Sequence, residues 1–74
     1  MNNDNTAKAP PLGASVLREY LRREGLSSRA FAELCGVPAR SILNWASGTG
    51  RPRIPSAYVL QEVTDGFVRV EHWR

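Results

Sequence analysis

Gly36 lies between two short stretches of apolar periodicity, and no other single residue limits the possible folds as much. Residues 27–48 read SSRAFAELCGVPARSILNWASG. A glycine there takes a positive φ and reverses the chain in three or four residues. The spacing around it matches two helices packed closely across such a turn. Ala32, four residues before Gly36, is small enough for the following helix to cross over it. Val37 plugs the turn, Ile42 lies six residues beyond Gly36, and Trp45 follows at three. Phe31, Cys35, Val37, Ile42 and Trp45 are therefore expected to share one interior, and two helices joined this way form a helix-turn-helix.

The rest of the chain extends this helical reading. At 74 residues only about 62% of the unfolded surface is hidden on folding. A core that small supplies about 3–5 kcal/mol and favours simple, local, helical packing. A first helix is predicted over 14–24, with Val16, Leu17, Tyr20 and Leu21 on its apolar face and Arg18, Glu19, Arg22 and Arg23 facing solvent. Gly25 stops it and Leu26 tucks back. Ser27 caps a second helix over 28–35, whose inward residues are Phe31, Leu34 and Cys35. Pro38 opens a third helix over 38–46, since proline suits the first helical position. Residues 51–55, Arg-Pro-Arg-Ile-Pro, read as an extended basic loop before a fourth helix over 56–64. Tyr58, Val59, Leu60 and Val63 are expected to form its buried stripe.

Asp65-Gly66 ends that helix, and the final FVRVEHWR reads either as a short strand or as one turn that docks Trp73. The fold class is all-α: a compact four-helix helix-turn-helix domain over 13–74 with a short C-terminal tail. Residues 1–11 carry no aromatic or branched aliphatic side chain, and residues 1–12 read as a disordered N-terminal arm.

Several function classes are excluded. One cysteine, Cys35, allows no internal disulfide and no multi-cysteine metal site, and reads as a core residue. One histidine, His72, is no metal site. No Ser-His-Asp, Cys-His or clustered carboxylate pattern is present, so neither an enzyme nor a cofactor is expected. No apolar run nears the roughly 20 residues of a membrane span, and the N-terminus is not a signal peptide. A soluble protein of a reducing, cytoplasmic compartment is expected.

The charge is distinctive in kind. The net charge is +3, and nine of the ten cations are arginine, with Lys8 the exception. Arginine's planar fork matches phosphates and guanine edges, which leans toward nucleic acid, although a high-GC genome gives the same bias. Between residues 29 and 53, Arg29, Arg40, Arg51 and Arg53 stand against Glu33 alone, a local +3 equal to that of the whole chain.

The segment 28–45, the leading Arg-Arg-Glu-Gly-Leu and the following Gly48 resemble the Cro/C1-type (xenobiotic-response-element) helix-turn-helix family of phage and bacterial repressors. The resemblance covers roughly residues 14–64, and the end of the chain is similar to the tail of short Cro-like regulators. It implies a lambda-repressor-like fold, a reading helix in the major groove, and a homodimer on a palindromic operator of double-stranded DNA. It also implies transcriptional repression in a bacterial cytoplasm.

On that reading the outward residues of helix 38–46 are Pro38, Ala39, Arg40, Ser41, Leu43 and Asn44. Arg40 forks onto guanine, Asn44 suits adenine, and Ala39 and Leu43 meet a thymine methyl. Ser41 reaches phosphate, as do Ser28 and Arg29 at a helix N-terminus and Arg51 and Arg53 in the loop. The chain departs from the family pattern at Ser28, where glutamine is common, and at Pro38-Ala39, where a polar pair is common. Dimerisation is expected through the fourth helix with residues 67–73, as a strand pair or a Trp73-centred patch. The alternative function is an antitoxin or other small protein-binding module, with Tyr58, Phe67 and Trp73 as the surface for a toxin or similar partner.

Overall fold

A computed structural model describes residues 11–74 and contains four α-helices followed by a short 3-10 turn. The helices are α1 (Leu12–Glu24), α2 (Ser28–Cys35), α3 (Ala39–Ser47) and α4 (Ile54–Val63), and the terminal turn spans Val70–Trp73. The all-α class expected from the periodicity is what the chain adopts. Among the described residues there is no strand, so the tail resolves to the turn alternative.

Local chemistry explains the helix boundaries. Gly25 has φ 65° and lets Leu26 N–H reach back to the Leu21 carbonyl at 2.9 Å, which satisfies a carbonyl the helix leaves open. Ser27 Oγ accepts from the Ala30 amide at 3.0 Å and caps α2. Gly36, at φ 73°, ends α2, and Val37 N–H then donates to the Ala32 carbonyl at 3.1 Å. Three starts differ from expectation. Leu12, assigned to the arm, belongs to α1, and the predicted disorder of residues 1–10 lies outside the described residues. Pro38 precedes α3 in extended geometry (φ −65°, ψ 146°) and is its N-cap, not its first residue. α4 begins at Ile54 because Pro55 sits in its first turn, where a missing N–H removes no bond.

α2 and α3 pack on each other, α1 packs on α3, and α4 packs on α2 and on the terminal turn. Leu17, Phe31, Ala32, Ile42, Ala57, Leu60, Val68 and Trp73 form one buried cluster, with Val16, Tyr20, Cys35, Val37 and Trp45 half-buried around it. Ala32 is buried where α3 crosses, as its size requires. Leu34 is not inward: it is 61% exposed, because that crossing turns the Phe31–Ala32–Cys35 face to the core and leaves Leu34 beside it. The α4 stripe is also rotated. Ala57, Leu60 and the capping Thr64 face inward, while Tyr58 and Val59 are exposed.

The tail is held by polar contacts that apolar patterning does not reveal. Buried Thr64 donates through Oγ1 to the Leu60 carbonyl at 2.7 Å and accepts from Val68 N–H at 3.0 Å. Val70 N–H donates to Gln61 Oε1 at 3.0 Å, and Arg69 N–H donates to His72 Nδ1 at 2.9 Å. These bonds carry Trp73 into the core, where it is 5% exposed. Within the single chain, then, residues 67–73 form no strand and Trp73 is not an exposed patch.

Candidate nucleic-acid interface

α3 has one face buried through Ile42 and another open to solvent. Arg40, Leu43 and Asn44 are exposed on the open face, at three- and four-residue spacing that stacks them side by side. Leu43 is 56% exposed, an apolar side chain left in water beside two polar ones. Pro38 is exposed at the start of the helix, and Ser41 is half-buried at its edge. Ala39 differs from expectation. It is half-buried and packs against the core cluster, so it is not part of the outward set.

The other expected residues surround this face in sequence. Arg29 is exposed and Ser28 half-buried at the start of α2, where Ser27 already occupies the Ala30 amide. Arg51 and Arg53 are exposed on either side of buried Pro52. The intervening loop is pinned in a way the sequence reading missed. The Thr49 and Gly50 amides both donate to the Asn44 carbonyl, at 3.0 and 3.2 Å. Ser47 Oγ donates to the same oxygen at 3.0 Å and shares a 2.8 Å hydrogen bond with Thr49 Oγ1. The signal was the Ser-Gly-Thr-Gly run, whose small hydroxyls fold back on a helix end. The pinning sets the start of the Arg51–Arg53 segment relative to Asn44.

The arginines divide into two groups. Those of α1 are engaged within the molecule: Arg18 donates to the Ala46 carbonyl, Arg22 pairs with Glu19, and the Arg23 guanidinium lies 5.2 Å from the Phe67 ring centre. The Arg22 hydrogen bond holds the half-buried Glu19 carboxyl below its usual range. Arg69 pairs with Glu71 at 3.3 Å. Among the described residues, no ion pair involves Arg29, Arg40, Arg51 or Arg53. Four arginines without an ion pair thus lie on the helix-turn-helix segment and the loop after it, a concentration of positive charge that suits an anionic polymer.

Among the described residues no group of three His, Cys, Asp or Glu side chains is placed to hold a metal ion. None of their helices is long and apolar enough to cross a membrane. Burial pushes the Cys35 thiol up to about 11, away from the reactive thiolate. Comparison with family models, with curated proteins and with solved structures finds no match.

Proposed function

We propose that this chain is a sequence-specific double-stranded DNA-binding transcriptional regulator, a repressor of the Cro/C1 type, that reads the major groove with α3. The observation that carries this reading is the open face of α3. Arg40 and Asn44 stand one turn apart beside exposed Leu43, with unpaired arginines before and after them in sequence. Arg40 forks onto guanine N7 and O6, Asn44 bonds adenine N6 and N7, and Leu43 meets a thymine methyl. Arg29, Arg51 and Arg53 hold phosphates, with Ser28 and Ser41 as supporting donors. A palindromic operator read by two copies supplies the specificity that one short helix lacks. Such a protein works in the bacterial cytoplasm, on the nucleoid.

The test is binding to duplex fragments from the chain's own upstream region against scrambled duplexes, at one stated salt concentration. Preference for the native fragment supports the reading, and equal affinity removes sequence specificity. The second reading, an antitoxin or other protein-binding module, draws support from exposed Ile54 and Tyr58 on α4. Of the other aromatic residues expected on a partner surface, Trp73 is buried and Phe67 half-buried.

A further inference from the structure

We propose that the groove between α4 and the terminal turn binds a small apolar carboxylic acid, with its carboxylate held by the Trp73 indole N–H and Arg74. This goes beyond DNA recognition, since no residue of α3 lines the groove. The groove measures about 320 Å³, and Pro52, Ile54, Ala57 and Val70 give it apolar walls. Small-molecule sites start at about 300 Å³, so the space suits one compact molecule. Trp73 supplies the observation that points to a ligand. It is 5% exposed and forms part of the groove wall. Its Nε1 is buried with no hydrogen-bond partner among the described residues, although a buried indole N–H ordinarily finds one.

The polar groups of the groove select the ligand. The Trp73 indole, the Tyr58 hydroxyl and the Arg74 guanidinium all carry donors, and no Asp or Glu lines the space. Among the described residues Arg74 forms no ion pair. The start of α4, where Ile54 lies, has neither a side-chain cap nor an acid in its first turn, so the helix dipole also favours an anion there. A hydrocarbon would leave the indole unsatisfied, and an amine would meet like charge at Arg74. A carboxylate accepts from both groups, and its plane matches the guanidinium fork. The apolar walls take the rest of the molecule. In the free chain the indole N–H is covered, and the exposed neighbours Tyr58 and Arg74 are the side chains with room to swing aside.

N–H correlation NMR spectra of the full, nitrogen-labelled chain without DNA test this. Two tryptophans give two indole signals, and Trp45→Phe identifies that of Trp73. The probe is phenylacetate, with phenylacetamide and phenethylamine as its neutral and cationic counterparts. Phenylacetate should move the Trp73 signal saturably at about millimolar concentration. Phenylacetamide should bind about tenfold more weakly, and phenethylamine should leave the signal in place. Arg74→Gln should weaken phenylacetate about tenfold, and Ile54→Glu should weaken it more than Ile54→Gln, because only the former adds like charge at the rim. Both positions are exposed, and retained amide dispersion verifies that each variant is folded. A Trp73 signal unmoved by phenylacetate, or moved alike by all three probes, overturns the proposal, as does binding indifferent to Arg74→Gln and Ile54→Glu. A signal that moves when the protein alone is diluted shows a second copy filling the groove, which also overturns it. None of these failures bears on DNA binding, which is measured separately.

Discussion

The indole of Trp73 lies against Gly13, so the terminal 3-10 turn closes on the first turn of α1. A Cβ on Gly13 would overlap the ring at Cε2 and Cε3. In an open helix, replacing glycine by alanine stabilises by up to about 1 kcal/mol. Here the sign should reverse, and Gly13→Ala should lose about 1–3 kcal/mol through overpacking. Urea unfolding compared with Gly13→Ala in a Trp73→Ala background checks it, because removing the ring should restore the ordinary alanine benefit.

Thr64 gives a second expectation. Its hydroxyl links the Leu60 carbonyl to the Val68 amide inside the core. Thr64→Val keeps the shape but leaves Val68 N–H buried without that acceptor, at about 1–3 kcal/mol. Thr64→Ser should retain most of the stability. A larger loss for serine than for valine would show that the methyl, not the hydroxyl, matters.

DNA-binding variants should separate base reading from charge. Arg40→Ala should cost about 1–3 kcal/mol on the preferred duplex and little on scrambled DNA. Arg53→Ala should weaken both and lower the slope of log K against log salt by about 0.9. A titration of each variant at several salt concentrations distinguishes them, and matching behaviour would place both arginines on phosphate.

The Cys35 thiol should alkylate slowly at pH 8 in the folded chain and quickly in denaturant, since burial raises its pKa to about 11. The same shift links pH to stability. Between the ordinary thiol range and 11 the unfolded chain has lost this proton while the folded chain keeps it, so stability falls as pH rises through that window. Below it the contribution is fully present. Cys35→Ala should flatten this part of the stability profile, as followed by chemical unfolding at stepped alkaline pH.

Much of the architecture was legible because it rests on short-range chemistry. Gly25, Gly36 and Gly48 each take a positive φ directly after one of the first three helices, and the Ala32–Gly36–Ile42 spacing sets how α2 meets α3. The errors have one physical source. Leu34, Tyr58 and Val59 suit apolar faces when each helix is read alone, but the buried face is chosen by the neighbouring element. In α2 that neighbour lies over Ala32, which tilts the face away from Leu34. In α4 the terminal turn, carrying Trp73, recruits Ala57 and Leu60. The open face of α3 was readable residue by residue apart from Ala39, whose position depends on how the first turn rolls. The hydrogen bonds at Thr64 and His72 involve ordinary polar residues with no distinguishing pattern, so only three-dimensional placement exposes them, whereas those on the Asn44 carbonyl follow from the Ser-Gly-Thr-Gly run.

The bond from Arg18 to the Ala46 carbonyl makes the pose of α3 depend on a residue far from it in sequence. A genetic screen scoring only what α3 touches would return alleles at position 18 alongside those at Arg40 and Asn44. Such alleles would mimic lost contacts while altering none, and amide exchange along α3 would tell a loosened strut from a missing finger.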